Sequence, residues 1–301
     1  MKIGFVTVNY HSDKDTLALV DQLSNCTVPQ GIESLIYVVD NSCSAEFKKA
    51  TKKYFNVNYL ASPGNIGFAA GNNLGLKKAI ADEVDIVALL NNDTIAPKDL
   101  VFNILSSPIT DPKTGAVGGL IYFAKGYEFE KQYKASELGK VVWYAGGKYD
   151  WNNVYAGHVG VNEVDKGQFT VVQETDFITG CLFITKTEVL KQVGLFDEKY
   201  CLYFEDSDLG LRIKKAGYKL IFDPGIKLWH KVAQSSSIGS SLNDYFLTRN
   251  RLLFGFTYAS LRTKIALVRE SLRMLFIGTK AQKTAIKDFY IRNFGWGSWK
   301  N

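Results

Sequence analysis

Apolar strand-like segments alternate with amphipathic helical segments over the first 90 residues, and this alternation constrains the fold more than any other feature. The predicted strands span residues 2–9, 33–40, 57–60 and 86–90, and the predicted helices span 16–24, 45–54 and a segment ending near Ala81. Such alternation is typical of a parallel sheet with helices on both faces. The sequence therefore predicts an α/β fold.

The remainder of the chain extends this pattern and adds two irregular features. Further strands are predicted at 116–123, within 174–186, at 219–222 and at 226–229, and an acidic helix is predicted from Glu205 to a terminal Gly217. Residues 141–170, rich in glycine, tyrosine, tryptophan and asparagine, are predicted to form an irregular or hairpin insertion that contributes to specificity. After a Ser/Gly-rich hinge at 235–241, helices are expected at 242–258 and 261–276.

Composition restricts the location of the protein. No apolar run approaches the roughly 18 to 20 residues that a membrane-spanning helix needs. The N-terminus enters a strand without a signal-peptide pattern. The cysteines, at 26, 43, 181 and 201, show no C-x-x-C pair and no metal-ligand spacing. These features predict a cytoplasmic protein with reduced thiols.

Positive charge is concentrated near the C-terminus. The formal net charge is +6, but residues 241–301 hold eleven lysines and arginines against three acidic residues, so they carry +8 and the other 240 residues carry −2. Nucleic-acid binding is one use of a basic tail. Interleaved apolar residues recur at helical spacing and favour peripheral association with an anionic membrane instead; they are Leu261, Ile265, Val268, Leu272 and Phe276. The alternative is packing against the catalytic domain or a second copy of the chain.

Polar residues follow the predicted strands at the edge where open α/β sheets bind ligands. Asp93, shortly after the strand at 86–90, is the best candidate for a metal ligand, and His230, at the end of the last strand, is its predicted partner. A carboxylate and an imidazole suit Mn²⁺ or Mg²⁺ together with phosphate oxygens, although a histidine beside a tryptophan is more often structural. Asn91 and Asn92 would bind the ribose or the water shell of the metal.

Three further features suit a nucleotide diphosphate. Asp40 and Asn41 end the second strand, where they would hydrogen-bond a pyrimidine base or ribose, unless they simply form a turn. A glycine series allows close backbone approach and offers N–H groups at a helix start, although its spacing is not the dinucleotide fingerprint; the series is Gly64, Gly67, Gly71 and Gly75. Arg249 or Arg251 would contact a phosphate, unless their helix is an ordinary amphipathic one.

Glu205, Asp206 and Asp208 lie in the first turn of the acidic helix, where the helix dipole alone favours carboxylates. Functionally, Asp206 is the candidate general base that deprotonates an acceptor hydroxyl, and Glu205 is its competitor. Arg212, four residues after Asp208, is expected to form an ion pair on the helix surface.

Taken in order, these motifs resemble glycosyltransferase family 2. The set comprises residues 38–41, 65–75, 91–94, 179–180, 204–209, 229–230 and 245–251, and it covers about residues 1–255. It is most similar to the bacterial rhamnosyltransferase-like branch and to relatives that transfer galactofuranose. The resemblance implies the GT-A fold, a Rossmann-like and mostly parallel sheet flanked by helices. It also implies a nucleotide-diphosphate sugar donor, an inverting mechanism and a divalent cation.

The resemblance also assigns roles by position. It implies that Asp40 contacts the base, Asp93 ends the D-x-D motif, Asp206 is the base and His230 binds the metal. Asn91 departs from the family pattern, which leaves Asp93 as the sole firm carboxylate ligand. The remaining donor-binding candidates are Asn9, Asn65, Gly67, Asn92 and Arg249, and the acceptor-binding candidates are Thr179, Gly180 and Trp151.

The sequence thus predicts a GT-A catalytic domain at 1–240, with a nucleotide-binding half at 1–95 and an acceptor-binding half at 96–240, and a basic helical extension at 241–301. The expected reaction is transfer of L-rhamnose from dTDP-rhamnose to a glycan or polyprenyl-linked acceptor in cell-surface polysaccharide synthesis. The alternatives are a UDP-hexose or UDP-galactofuranose donor, or a catalytically silent sugar-nucleotide-binding subunit. A nucleotidyltransferase is disfavoured because the chain lacks a basic, glycine-rich N-terminal loop, and no nucleic-acid partner is expected.

Overall fold

A computed structural model describes residues 1–130, 132–232 and 240–299. The first 90 residues form β1 (Lys2–Asn9), α1 (Asp13–Ser24), β2 (Glu33–Asp40), α2 (Ala45–Thr51), β3 (Val57–Ala61), α3 (Phe68–Ala81) and β4 (Ile86–Leu90). Every helix and strand predicted for these 90 residues is present. Helix α1 begins three residues before its predicted start, because Asp13 and Asp15 occupy its first turn, where carboxylates are favourable.

The middle of the chain supplies the rest of the sheet and its connections. Its strands are β5 (Thr94–Ile95), β6 (Thr114–Phe123), β7 (Val142–Tyr144), β8 (Gly147–Asp150), β9 (Tyr155–His158), β10 (Gln173–Glu174), β11 (Leu182–Lys186) and β12 (Lys219–His230). Its helices are α4 (Leu100–Ser106), α5 (Thr187–Val193) and α6 (Glu205–Lys215). Strands β8 and β9 form an antiparallel hairpin inside the segment predicted to be irregular.

The strands form one large sheet in the order β10-β12-β6-β11-β4-β1-β2-β3, with β5 paired to β12 and β7 paired to β6. Strands β3, β2, β1 and β4 are parallel, as predicted. Strand β11 enters antiparallel between β4 and β6, so the complete sheet is mixed. Strand β12 is parallel to β6. The carboxyl ends of β1, β2, β4 and β12 therefore lie at one edge of the sheet.

Strand β12 replaces the two short strands predicted at 219–222 and 226–229. Its pairing with β6 is interrupted between Asp223 and Lys227 and then resumes. Pro224 and Gly225 lie in this interruption, where a proline is tolerated because no ladder hydrogen bond is needed from it. The sequence break is therefore a bulge within a single strand.

Buried side chains cover both faces of the sheet. Neighbouring residues of β1, Phe5 and Val6, belong to different core clusters, as do Ala88 and Leu89 of β4. This alternation follows from the two-residue period of a strand. All residues of β4 and β6 are buried, so these strands form the centre of the molecule.

The C-terminal part consists of α7 (Ser241–Tyr258), α8 (Leu261–Ile277) and α9 (Lys280–Tyr290). The first two confirm the predicted helices, and α9 was not predicted. These helices share a core with Tyr200 and with Val154 of the β8–β9 turn. Among the described residues, no helix combines the length and apolarity needed to cross a membrane. Residues 235–239 of the predicted hinge lie outside the described part of the chain.

Candidate active site

Asp206 lies in the first turn of α6, directly after a strained segment. Cys201, Tyr203 and Phe204 have φ angles of 62°, 68° and 70°. This left-handed conformation costs a non-glycine residue about 1–3 kcal/mol and persists only when its surroundings enforce it. The Gly180 backbone N–H donates a 2.8 Å hydrogen bond to Asp206 Oδ2. The candidate base is therefore fixed both by its own segment and by the loop before β11.

Asn250 of α7 holds the strained segment in place. Its side chain is fully buried. Nδ2 donates to the carbonyl oxygens of Tyr200, Leu202 and Tyr203 at 2.8, 2.7 and 3.0 Å. Three carbonyls of one short segment thus converge on a single amide, which explains how the chain maintains its unfavourable backbone angles.

Arg249 occupies the same buried region, and its predicted contact with a donor phosphate is wrong. The side chain is 0% exposed. Its guanidinium donates to the carbonyls of Lys199 at 3.2 Å, Tyr200 at 3.1 Å and Gly295 at 2.6 Å. These bonds leave the charged group no access to a phosphate, and they give Arg249 a structural role beside Asn250.

The start of α3 is also committed to the strained segment. The N–H groups of Phe68 and Ala69 both donate to the Cys201 carbonyl at 3.0 Å. Gly67 has a φ of 86°, and a Cβ at this position would lie 2.5 Å from Cys201 Sγ. The Asn65 Oδ1 accepts a hydrogen bond from Gly67 N–H. The expectation of free N–H groups for a diphosphate at this helix start is therefore wrong for these two positions.

The glycines further along α3 serve close packing. A Cβ on Gly75 would lie 2.4 Å from Val6 Cγ1 of β1. Helix α3 can therefore approach the sheet only with glycine at this position. Gly71 and Gly75, two members of the series that suggested a phosphate-binding turn, are thus explained by contact between helix and strand.

Glu205 is buried and Asp206 is half-buried, and the acidity of both carboxylates is perturbed. Burial raises the pKa of Asp206, against the opposing effect of hydrogen bonds from the N–H groups of Gly180 and Ser207. Burial and the adjacent Asp206 carboxylate raise the pKa of Glu205 well above its ordinary value. Glu205 Oε2 has no hydrogen-bond partner among the described residues. We infer that Asp206 ionises before Glu205.

A cavity of about 440 Å³ opens beside these carboxylates. Its walls come from the β8–β9 hairpin, the start of α6 and the C-terminal helices. They include His158, Glu205, Asp206, Arg251, Glu270 and Met274. The hairpin predicted to contribute to specificity therefore lies against the candidate base. Arg251, the alternative phosphate contact of the sequence, lines the cavity and pairs with both Glu270 carboxylate oxygens at 2.8 and 2.9 Å.

Asp93 and His230 meet at the edge of the sheet. Asp93 Oδ1 lies 3.0 Å from His230 Nε2 because β12 pairs with β5 through His230 and Thr94. The Asn91 amide nitrogen lies 3.5 Å from the same Nε2. Burial disfavours the imidazolium, but the Cys181 sulfur and the Asp93 carboxylate outweigh it and raise the pKa of His230 to about 10. Three of the four polar side chains proposed around a metal, those of Asn91, Asp93 and His230, thus converge.

This group fits a divalent cation in its donor types. An oxygen and the nitrogen of a neutral imidazole suit Mn²⁺ or Mg²⁺, so a cation would have to displace the proton that Cys181 and Asp93 favour on His230. His230 Nδ1 is a buried atom without a hydrogen-bond partner in the described part of the chain. No group of three or more His, Cys, Asp or Glu residues that could hold a metal occurs within residues 1–130, 132–232 and 240–299. A cation here would therefore take its other ligands from phosphate oxygens and water.

Asp40 organises the backbone that follows β2. It is fully buried, and its two carboxylate oxygens accept hydrogen bonds from Asn9, Tyr59 and the N–H groups of Ser42 and Ser44 at 2.8–3.1 Å. With four donors already present, Asp40 has no free oxygen for a base in this conformation. The turn-forming alternative therefore describes it better than the predicted base contact.

Asn92 and Asn9 belong to the same internal network. Asn92 Nδ2 donates to Thr16 Oγ1 at 2.9 Å, and Thr16 Oγ1 donates to Asn9 Oδ1 at 2.8 Å. These bonds tie the ends of β4 and β1 to the first turn of α1. Both predicted donor-binding side chains are therefore hydrogen-bonded within the protein.

The predicted acceptor-binding residues fall in two places. Gly180 directly contacts Asp206, and Thr179 precedes it, with its hydroxyl accepting from Cys181 N–H at 3.3 Å. Trp151 instead stacks on Phe254 of α7, with ring centroids 5.9 Å apart and an interplanar angle of 9°. Trp151 thus joins the hairpin to α7 and is absent from the residues that line the cavity.

Sequence reasoning missed His158 and Trp143. Trp143 packs edge-on against both His158 and His230, with centroid distances of 4.5 and 4.6 Å. Burial lowers the pKa of His158 to about 4, so this imidazole is neutral at ordinary pH. In the sequence, both residues could have been noticed only because they lie in the aromatic-rich insertion at 141–170. Trp143 therefore separates the cavity histidine from the candidate metal ligand.

The mixed sheet flanked by helices is the architecture of a GT-A glycosyltransferase. Comparison with known sequences gives the family: the family model described as "Glycosyltransferase like family 2" matches residues 2–253. The chain belongs to this family and is a glycosyltransferase.

Two relatives of known name are rhamnosyltransferases. N-acetylglucosaminyl-diphospho-decaprenol L-rhamnosyltransferase of Mycobacterium tuberculosis is 25% identical over 212 residues, which cover 67% of this chain and 68% of the relative. Rhamnosyltransferase WbbL of Escherichia coli K12 is 24% identical over 202 residues, covering 65% of this chain and 72% of the relative. The chain is thus similar to rhamnosyltransferases at low identity.

A solved structure supports the fold. The mannosyltransferase PcManGT from Pyrobaculum calidifontis, solved with GDP-Man and Mn²⁺, superposes with a TM-score of 0.56 at 16% identity. The superposition covers 95% of this chain and 73% of PcManGT. At this identity the likeness concerns the fold alone.

Proposed function

We propose that this enzyme transfers L-rhamnose from dTDP-rhamnose to a hydroxyl of a polyprenyl-linked glycan, with inversion at the anomeric carbon. The observation that carries the proposal is the placement of Asp206, a half-buried carboxylate fixed by Gly180 on the wall of the cavity. The two relatives named as rhamnosyltransferases support the choice of sugar, and the mycobacterial name supports a polyprenyl-diphosphate acceptor.

Asp206 supplies the general base of the proposed reaction. It accepts the proton of the acceptor hydroxyl as that oxygen bonds to the anomeric carbon. The bond between this carbon and the diphosphate oxygen breaks, and the nucleoside diphosphate leaves with the electron pair. A single displacement requires one base and inverts the configuration. Because burial raises the pKa of Asp206, it is a stronger base than an exposed aspartate.

Glu205 supports this role as the protonated partner. Two ionised carboxylates next to each other in a buried site repel, so one of them retains a proton. The backbone N–H bonds favour ionisation of Asp206, and the bare Oε2 of Glu205 favours its neutral form. The pair therefore carries a single negative charge that faces the acceptor.

Asp93 and His230 would hold a divalent cation, with Asn91 beside them. The cation would neutralise the charge of the diphosphate that leaves with the nucleoside. The 3.0 Å approach of Asp93 to His230 supports this assignment, and the Mn²⁺ in PcManGT is consistent with it. Asp40 contributes indirectly, because it fixes the loop after β2 at the edge where the nucleoside would lie.

The test is a donor panel assayed for nucleoside diphosphate release. Purified enzyme with Mn²⁺ and a synthetic polyprenyl-diphosphate N-acetylglucosamine receives dTDP-rhamnose, UDP-galactofuranose, UDP-glucose or UDP-galactose in separate reactions. We expect release with dTDP-rhamnose alone and a product heavier by one deoxyhexose. The Asp206→Asn variant provides the background rate.

The possible results separate the parts of the proposal. Release with a UDP-sugar but not with dTDP-rhamnose would overturn the rhamnose assignment and retain the transferase chemistry. Retained configuration at the anomeric carbon would overturn the single displacement and the role of Asp206. Absence of release with all four donors would contradict the proposed reaction for this acceptor.

A further inference from the structure

The outer face of α8 carries an apolar stripe that the described part of the chain leaves uncovered. Leu261, Ile265, Leu272 and Phe276 are 74%, 54%, 51% and 82% exposed. At 3.6 residues per turn, these positions fall within an arc of roughly 60° on the helix. Isolated exposed apolar residues are ordinary, but a continuous stripe marks an interaction surface.

Within residues 1–130, 132–232 and 240–299 the stripe lies outside the buried core, because α8 packs through its opposite face. Thr263, Leu267 and Ser271 are buried, and Leu267 belongs to the core shared with α7. Glu270 and Met274, on the same inward side, line the active-site cavity. The alternative that these apolar residues pack on the catalytic domain therefore does not hold for the four exposed positions.

Positive charges border the stripe. Arg262, Arg269 and Arg273 are exposed and follow one flank of the stripe on the helix. Glu270, the acidic residue within Leu261–Ile277, points inward and is neutralised by Arg251. The outward face of α8 thus combines apolar side chains with arginines and presents no carboxylate.

We propose that the outer face of α8 docks on an anionic lipid bilayer. Apolar side chains bordered by arginines match the boundary between acyl chains and acidic headgroups. A second copy would be a poor occupant in an antiparallel pairing, since that two-fold arrangement would set the arginine flank of one helix beside that of the other. A nucleic acid would satisfy the arginines but would leave Leu272 and Phe276 in contact with water.

Docking by this face brings the cavity close to the lipid. Helix α8 separates the two, so the cavity lies about one helix diameter, roughly 10 Å, from the bilayer surface. This consequence rests on the proposed function, because it supposes that the acceptor is a polyprenyl-linked glycan. The docking itself is independent of catalysis and can be measured without a donor.

The experiment is co-sedimentation of the full chain with phosphatidylcholine vesicles prepared with and without phosphatidylglycerol. We expect binding to the phosphatidylglycerol vesicles that weakens as salt rises. A basic residue near an anionic leaflet contributes about fivefold in binding, so Arg269→Glu combined with Arg273→Glu should weaken it by at least about 25-fold. Leu272→Ser combined with Phe276→Ser should abolish the part of the binding that survives high salt.

Matched controls lie on α2 and after it. Phe55 is 97% exposed, and Phe55→Ser should leave binding unchanged. Lys49 and Lys52 are exposed on and beside α2, and their combined change to glutamate alters net charge as much as the arginine pair does. Equal losses in these controls would show that only total charge or hydrophobicity matters and would overturn the docking face.

Two other results would also contradict the proposal. The first is absence of wild-type binding to phosphatidylglycerol vesicles at low salt. The second is a lipid-free dimer that the Leu272→Ser, Phe276→Ser variant dissociates, which would assign the stripe to a second copy. Neither result bears on the donor panel, so failure of docking and failure of the proposed reaction are distinguishable.

Discussion

Replacement of Asn250 should impair catalysis indirectly, through the position of Asp206. Asn250 Nδ2 has two hydrogens and serves three carbonyl oxygens of the segment that leads into α6. Each lost hydrogen bond contributes about 1–1.5 kcal/mol, so Asn250→Ala should lower the free energy of unfolding by about 2–3 kcal/mol. Freed of this amide, the residues with positive φ relax, and Asp206 moves with them. A displacement of about 1 Å costs roughly 10²-fold in turnover.

The assay combines denaturant unfolding, steady-state kinetics and calorimetry of nucleoside diphosphate binding. We expect kcat to fall by about 10²-fold, as estimated for a 1 Å displacement, while the Kd of the nucleoside diphosphate stays near the wild-type value. Asn250→Leu keeps most of the volume and removes the donors, so it should behave like Asn250→Ala. Asn103→Leu on α4 provides a matched control. Wild-type turnover in Asn250→Leu, or lost stability with unchanged kcat, would refute the positioning role.

Three further predictions concern the site. Asp206→Asn should bind donor almost normally and lose at least about 10²-fold in kcat, the scale of general-base catalysis. Burial raises the pKa of Asp206, so the acid limb of the wild-type pH–rate profile should lie above the ordinary aspartate range. Asp93→Ala and His230→Ala should each weaken Mn²⁺-dependent binding of nucleoside diphosphate in calorimetry, and equal affinity with EDTA would remove both from the metal role. His158 has a pKa of about 4 in the fold against an ordinary 6.5, so the unfolded chain binds its proton first. Stability should therefore fall by up to about 3 kcal/mol between pH 6.5 and 4, and His158→Phe should lack this part of the loss.

The elements of the first 90 residues could be predicted because each strand is a short apolar run with a polar end. The same signal could not give the direction of β11. A fully buried strand has the same apolar sequence whether its neighbours are parallel or antiparallel, so its insertion between β4 and β6 was invisible. Helix α9 did have a signal that was overlooked, since Thr279 and Gln282 form a capping box.

Candidate site residues at strand ends could be predicted from the sequence. Those on the C-terminal helices could be predicted less well. Asp93 and His230 lie together because strand ends meet at one edge of a sheet. Arg249 was misassigned because helical spacing shows which residues share a face but not what that face contacts. Because arginines are rarely buried, the sequence favoured a contact between Arg249 and a phosphate. In the structure its guanidinium binds backbone carbonyls instead. Asn250 was missed for the same reason, because its partners lie about 50 residues away in the chain.

The C-terminal helices differ from the rest of the sequence in charge, but they still contribute to the cavity beside Asp206. Their charge sets residues 241–301 apart, and the family match ends at 253, within α7. Yet α7 supports the segment that carries Asp206, and α8 forms part of the cavity wall. Residues beyond the family match therefore line the cavity beside Asp206, whereas the matched part holds the candidate base, Asn250 and the strand-end pair.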